Sequence, residues 1–198
     1  MSDGHRGELI LIRHAQSEWN AAGRWQGHAD PPLSALGHDQ AAKLADELAD
    51  QVTCDRIYAS DLQRARQTAE PIAKRLGLSI ETDAAFRELD VGRWAGLTRE
   101  EIHDREPQLL AEFETGDPNV RPGSGETRAE LRQRARDRIA LMAAEHPHER
   151  VIIVTHLGFV RALLPDAEPE NASALKVSME RALTARQPGV EAERVGPL

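Results

Sequence analysis

Two uniformly apolar runs that end in histidine decide the fold: Leu9-Ile-Leu-Ile-Arg-His14 and Val151-Ile-Ile-Val-Thr-His156. Apolar residues at successive positions, rather than at alternate ones, are typical of strands that are buried on both faces. Two shorter runs, Arg56–Ser60 and Leu78–Glu81, are further strand candidates. The sequence therefore predicts a mostly parallel sheet that is covered on both sides.

Three helical patterns lie between these runs. Apolar residues recur at helical spacing from Leu36 to Leu48, from Leu62 to Leu76 and from Leu131 to Ala143. Helices that alternate with parallel strands form right-handed crossovers and cover the sheet. We therefore expect an α/β fold, a three-layer α/β/α sandwich with a mostly parallel central sheet.

The length of 198 residues fits a single domain, here taken as 1–198. Residues 97–127 are rich in charge, proline and glycine, and they predict a helical or loop lid insertion over the sheet edge. Asn171–Ser173, followed by Leu175 and Val177, is a candidate for the last edge strand. Residues 188–198 have no apolar period, so we expect a frayed tail there.

Composition excludes several classes of function. The chain has 25 Lys and Arg against 33 Asp and Glu, a net charge of −8, which disfavours nucleic acid as a partner. The run Leu9–Ile12 is too short for a signal peptide or for a membrane span, which needs roughly 20 residues. The single Cys54 cannot form an internal disulfide, and this favours the cytoplasm. We expect no membrane partner, and the oligomeric state stays open, with a homodimer as one option.

Histidine follows both strong strands, at the end of the sheet where ligands of parallel sheets bind. A neutral imidazole, with an ordinary pKa of about 6.5, is a competent nucleophile near neutral pH. Arginine forks, here Arg13 and Arg64, suit the oxygens of a phosphoryl group better than lysine does. Phosphoryl transfer needs such a nucleophile, such positive charge and a proton for the leaving group. The position of His14 and His156 at the ends of the two strands, together with these arginines, therefore predicts a phosphoryl-transfer site.

Six segments in order carry a resemblance to a known family. They are Leu11–Asn20, Gly27–Gly37, Ser60–Ala69, Arg87–Gly92, Pro122–Glu126 and Val154–Gly158. Together they resemble the histidine phosphatase superfamily, also called phosphoglycerate mutase-like, over about residues 8–165. An Arg-His pair alone would be a weak match, whereas the ordered set is specific.

The resemblance implies a role for each matching residue. It makes His14 the nucleophile that becomes a phosphohistidine, and it places Arg13, Arg64 and His156 around the phosphate. Two further substrate contacts are implied, the amide of Asn20 and the backbone of Gly27. Neither a metal nor a cofactor is expected.

Glu88 matches the proton donor of the family. It must be protonated to serve the leaving group and ionised to activate water in the second step. Asp90, two residues further along, is the competing candidate. Two departures from the family pattern also stand near the histidines: Ala15, expected to narrow the space beside His14, and Leu157, expected either to shape specificity or to point into the core.

A phosphomonoester phosphatase that acts on a small phosphorylated metabolite is the favoured function, with a small-molecule phosphate ester as the partner. A cofactor-dependent phosphoglycerate mutase is the alternative. Family mutases carry an Arg-Arg pair in the lid, and the comparable stretch here, Leu109–Gly116, has none, although Arg99 could hold an anionic group. A non-catalytic module that binds a phosphorylated ligand is the alternative from another class.

Overall fold

The computed structural model describes residues 7–184 and 192–195. The strands are β1 Glu8–Arg13, β2 Arg56–Ala59, β3 Ile80–Thr82, β4 Arg150–Thr155, β5 Ala174–Ser178 and β6 Glu193–Val195. The helices are α1 Glu18–Ala21, α2 Ala35–Gln51, α3 Gln63–Leu76, α4 Arg99–Arg105, α5 Pro107–Glu114, α6 Arg128–Glu145, α7 Leu157–Leu163 and α8 Met179–Thr184. Short 3-10 turns occupy Ala84–Phe86, Gly92–Trp94 and Pro122–Ser124.

The six strands form one sheet in the order β3-β2-β4-β1-β5-β6. Strands β3, β2, β4 and β1 are parallel, whereas β5 and β6 are antiparallel to their neighbours. The mostly parallel sheet and the α/β class are therefore confirmed.

Alternate residues of the central strands enter two separate apolar clusters. Leu9 and Leu11 of β1 pack in one cluster with Leu131 and Ile139 of α6. Ile10 and Ile12 pack in the other cluster, which includes helices α2 and α3. Both faces of β1 are buried, and this explains its continuous apolar run and the three layers.

The register of β1 and β4 places the two histidines together. Arg13 lies opposite Thr155 in the parallel pair, and the backbone N–H of His14 donates to the carbonyl of Thr155 at 2.8 Å. His14 and His156 therefore leave two adjacent strands at the same edge of the sheet.

The expectations for the C-terminal part of the chain need correction. Strand β5 is not an edge strand, because it lies between β1 and β6. Residues 193–195 of the expected frayed tail are paired with β5, so the tail prediction is wrong for that stretch. Residues 188–191 and 196–198 lie outside the described residues.

Two short helices, α4 and α5, form within residues 97–127. Ile102, Leu110 and Phe113 of these helices are buried in the same cluster as Trp94. Phe113 also lies in the wall of a cavity at the carboxyl ends of the strands. The segment therefore borders that cavity, and its role as a lid stays a prediction.

Candidate active site

The cavity has a volume of about 430 Å³, which suits a small metabolite. Six of the seven predicted site residues line it: Arg13, His14, Asn20, Gly27, Arg64 and Glu88. The seventh, His156, is fully buried beside them, with its ring centroid 5.1 Å from that of His14.

The imidazole of His14 is fixed by its neighbour in the chain. Its Nδ1 lies 2.7 Å from the carbonyl oxygen of Ala15. Because a carbonyl only accepts, Nδ1 carries the proton and Nε2 keeps its lone pair. Burial and then the Arg64 guanidinium hold the pKa of His14 well below 6.5, so the ring is neutral near neutral pH. A neutral imidazole with a free Nε2 is the form that attacks phosphorus.

Arg64 is a fully buried cation without a carboxylate partner in the part of the chain that the structure describes. It stands in the first turn of α3, and its Nη atoms donate to the carbonyls of Gly27 and Ala29 at 2.8 and 2.7 Å. Burial lowers its pKa to about 10, so the guanidinium stays charged. Burying a charge that lacks a counter-ion is costly, and this position therefore favours an anionic ligand.

Several buried donors around His14 have no hydrogen-bond partner among the described residues. They are Nε of Arg13, Nε of Arg64 and the one N–H of the neutral His156 ring, neither of whose nitrogens has a partner. Buried polar groups are nearly always paired in native proteins. Three side chains that each leave a nitrogen unpaired beside one imidazole form a site for a group with several oxygen acceptors, such as phosphate.

His156 is neutral in this arrangement. Burial and then the Arg64 guanidinium hold its pKa well below 6.5. His156 therefore adds no positive charge of its own to the site. A neutral ring still has one N–H to donate.

Glu88 reaches the cavity from the loop after the 3-10 turn Ala84–Phe86. Its Oε1 accepts the N–H of Leu89 at 2.8 Å, and its Oε2 accepts the N–H of Gly158 at 3.2 Å. A Cβ at Gly158 would overlap Oε1, so a side chain there would displace this carboxyl from its present position. The carboxyl is thus held in one orientation at the wall of the cavity.

The competing carboxyl of Asp90 has a structural role instead. Its Oδ1 accepts the N–H of Gly92 at 2.8 Å, and its side chain does not line the cavity. Arg99 donates from Nε and Nη2 to the two carboxylate oxygens of Glu114, at 2.6 and 2.8 Å. It does not line the cavity either. The expectation that Arg99 holds an anionic substrate group is therefore wrong.

Asn20 and Gly27 serve the local structure as well as the cavity wall. Asn20 Oδ1 accepts the N–H of Ser17 at 3.1 Å in a capping box of α1, so its amide nitrogen remains as a donor. Gly27 has a φ of +50°, and its carbonyl holds Arg64. A side chain there would meet Val91, which makes glycine necessary.

The two departures from the family pattern have different outcomes. Ala15 is fully buried against Leu33 and Ala41, away from the cavity, so it does not narrow the space beside His14. Leu157 lines the cavity, in line with a part in specificity.

Two residues that support Glu88 were missed in the sequence. His28 donates from Nε2 to the carbonyl of Glu88 at 2.8 Å. Arg134 of α6 donates to the same carbonyl at 3.2 Å and is paired with Glu126 at 2.7 Å. No local pattern marks these contacts, because each depends on how distant segments pack.

Four further arginines in the cavity wall were also missed: Arg24, Arg128, Arg132 and Arg161. In the sequence Arg128 and Arg132 look like the solvated face of a helix whose apolar stripe is elsewhere. We call the part of the wall formed by Arg13, His14 and Arg64 the phosphate corner. The cavity therefore carries more positive charge than the phosphate corner supplies alone.

No group of acidic, histidine or cysteine side chains within residues 7–184 and 192–195 is arranged to hold a metal ion. Within the same residues, none of the helices is both long enough and apolar enough to pass through a lipid bilayer.

Comparison with known proteins identifies the family. A model described as the histidine phosphatase superfamily, branch 1, matches residues 9–183. "Phosphoglycerate mutase-like protein 4" of Arabidopsis thaliana is 33% identical over 172 residues, which cover 86% of this chain and 75% of that protein. "Metal-independent phosphoserine phosphatase" of the same plant is 36% identical over 158 residues, 79% of this chain and 66% of that protein.

The solved structure of a mycobacterial glucosyl-3-phosphoglycerate phosphatase in complex with VO3 is similar along most of its length. Its TM-score is 0.78 at 32% identity, with 87% of this chain and 91% of that chain covered. The chain belongs to the histidine phosphatase superfamily. Relatives with phosphatase names confirm the predicted class of activity, a phosphatase that acts on a small phosphorylated metabolite.

Proposed function

We propose that this chain hydrolyses a phosphomonoester in two steps through a phosphohistidine on Nε2 of His14. In the first step, Nε2 attacks phosphorus while the P–O bond to the leaving group breaks. In the second step, water attacks the phosphohistidine, and inorganic phosphate leaves. The fully buried charge of Arg64, with no carboxylate partner among the described residues, is the observation that carries this proposal.

The neighbouring side chains have separate roles in this reaction. Arg13, Arg64 and His156 donate to the phosphoryl oxygens from the nitrogens that lack a partner, and they stabilise the charge that develops on those oxygens. The amide nitrogen of Asn20 and the backbone of Gly27 are further contacts at the wall of the cavity.

Glu88 moves the protons. Its carboxyl gives a proton to the leaving alkoxide in the first step and takes one from water in the second. The two N–H groups that bind its oxygens keep it at the cavity wall in both steps.

Hydrolysis is favoured over a mutase reaction by residues 97–127. This segment contributes Phe113 to the cavity wall, and its Arg99 is occupied by Glu114. An assay for interconversion of phosphoglycerates, with and without 2,3-bisphosphoglycerate, should detect no transfer. The single Cys54 remains the support for a cytoplasmic location.

Removal of the nucleophile tests the proposal. We expect His14→Ala to lower the rate of p-nitrophenyl phosphate hydrolysis by about 10³-fold or more, since no other side chain forms the covalent intermediate. The wild-type protein should form an acid-labile phosphoenzyme that His14→Ala does not form, and chelators should leave its activity unchanged. His38→Ala, which changes an exposed histidine, is the matched control. Hydrolysis at the wild-type rate by His14→Ala would exclude the proposal.

A further inference from the structure

The cavity continues beyond the phosphate corner to a pair of arginines on α6. Arg128 and Arg132 stand one helical turn apart, and both line the cavity. Like charges at this spacing destabilise a helix. Arg128 is also the first residue of α6, where the helix dipole disfavours a cation. The stability of α6 itself therefore does not explain the pair.

The two arginines have no carboxylate partner in the ranges that the structure describes. The other two of the four further arginines in the cavity wall have such a partner. Arg24 pairs with Glu101 at 3.0 Å, and Arg161 pairs with Glu168. The chain has an excess of acidic residues, with a net charge of −8, yet none of the acidic residues that the structure describes forms an ion pair with Arg128 or Arg132. Among these four arginines, the charges without a carboxylate partner are thus those of Arg128 and Arg132.

Both side chains are held rather than free in solvent. The guanidinium of Arg128 lies 3.7 Å from the centre of the Phe113 ring and donates to the Phe113 carbonyl at 2.9 Å. Nε of Arg132 is buried and has no hydrogen-bond partner among the described residues. Burial, followed by the nearby Arg161 guanidinium, lowers the pKa of Arg128.

The cavity offers little to a positively charged group. Glu88 is the one acidic residue in its wall within the described residues, and both oxygens of that carboxyl already accept backbone N–H groups. Apolar side chains also line the cavity, among them Trp25, Leu157 and Leu131. A ligand that fits this wall carries anionic groups and no cationic one.

We propose that Arg128 and Arg132 form a second anion subsite, and that the substrate is a phosphomonoester whose leaving group carries a further oxyanion and no ammonium group. This inference rests on the proposed function, because it describes the same cavity. A charge-assisted hydrogen bond to such an oxyanion adds affinity that a neutral leaving group lacks.

Pairs of substrates that differ in a single group test the subsite. We expect the wild-type kcat/KM for 3-phosphoglycerate to exceed that for glycerol 3-phosphate, which lacks the carboxylate. It should also exceed that for phosphoserine, which has an ammonium in place of the hydroxyl. Fructose 1,6-bisphosphate against fructose 6-phosphate tests a phosphate as the second oxyanion. A preference for 3-phosphoglycerate over glycerol 3-phosphate identifies a carboxylate, and a preference for fructose 1,6-bisphosphate over fructose 6-phosphate identifies a phosphate.

Variants then assign the preference to residues. Arg128→Gln and Arg132→Gln should each lower the ratio of kcat/KM between the preferred anionic substrate and its neutral partner by about 10- to 100-fold. Arg66→Gln removes the same charge from an exposed position of α3 and should keep the wild-type ratio. Arg132→Lys retains the charge without the planar guanidinium, and its ratio should be intermediate. This variant tests the subsite even if Arg132→Gln folds poorly.

Direct binding separates this inference from the proposed function. In a His14→Ala background, which forms no phosphoenzyme, calorimetry should show tighter binding of the anionic member, and Arg132→Gln should remove the difference. Equal binding of both members would overturn the subsite even if the wild type hydrolyses both. A wild-type protein that hydrolyses nothing but still distinguishes the two ligands would overturn the proposed function and keep the subsite.

Discussion

The site depends at the residue scale on side chains that are held by main-chain groups. The Ala15 carbonyl fixes the tautomer of His14, two carbonyls hold Arg64, and two N–H groups hold Glu88. Main-chain partners move little, so the reacting atoms keep their positions without substrate. Such preorganisation is what stabilises a transition state at low cost.

Gly158 is a positioning residue for Glu88, and this gives a prediction. A Cβ at Gly158 would overlap the Glu88 carboxyl, so Gly158→Ala should displace it. We expect Glu88→Gln to lower kcat by about 10²- to 10⁴-fold, because general acid-base catalysis is lost. Gly158→Ala should lower kcat in the same direction, and the double variant should be no slower than Glu88→Gln alone.

Asp90→Asn is the control for this prediction, because Asn keeps the acceptor for the Gly92 N–H and Asp90 does not line the cavity. Its kcat should stay near the wild-type value. Fully additive losses in the double variant would show that Gly158 acts independently of Glu88.

At the scale of elements, the segment 169–173 forms hydrogen bonds with the end of β1 and with His14, the residue that follows it. The Arg13 guanidinium donates to the Pro169 carbonyl at 2.9 Å, and Asn171 Nδ2 donates to the His14 carbonyl at 2.9 Å. The backbone N–H of Ala172 donates to the Arg13 carbonyl at 3.1 Å. The segment therefore binds both residues of the Arg-His pair from outside the cavity.

Asn171 should be a positioning residue for the nucleophile. Asn171→Ala leaves the His14 carbonyl without this donor, and we expect stability to fall by about 1 kcal/mol. We expect kcat to fall by about 10-fold with little change in KM, because His14 loses alignment and the phosphate contacts remain. Steady-state kinetics and urea unfolding measure the two effects.

Asn119→Ala, at an exposed turn, is the control and should change neither quantity. A loss of stability with an unchanged kcat in Asn171→Ala would show a purely structural role.

For the whole molecule, two neutral histidines are buried among cations inside a chain of net charge −8. Burial and Arg64 hold both pKa values well below 6.5. Between those lowered values and 6.5, the unfolded chain binds more protons than the folded chain. The free energy of unfolding therefore falls as the pH falls through this range.

This linkage predicts the pH dependence of stability. Above pH 6.5, His14 and His156 should leave the free energy of unfolding independent of pH. Below pH 6.5 they should lower it, by at most about 1.4 kcal/mol per pH unit for each histidine. Urea unfolding in phosphate-free buffers between pH 7.5 and 5.5 measures it. His14→Gln should show a smaller slope than the wild type. Equal slopes would mean that His14 protonates as readily in the folded chain as in the unfolded one.

Much of the fold follows from local patterns. Strands β1 and β4 and helices α2, α3 and α6 were predictable, because burial on both faces or on one stripe leaves a periodic trace along the chain. The position of His14 and His156 after strands placed them at one edge of the sheet. Strand β6 left no such trace, since it has three residues, two of them charged.

The sequence by itself determined the class of fold, the Arg-His pair at the end of β1 and the candidates for phosphoryl transfer. Only the tertiary structure showed that Glu88 lines the cavity whereas Asp90 does not, that Arg128 and Arg132 lack a carboxylate partner among the described residues, and that Arg99 is paired with Glu114. The physical reason is that periodicity reports whether a residue is buried. The identity of its neighbours depends on the register and packing of segments far apart in the chain.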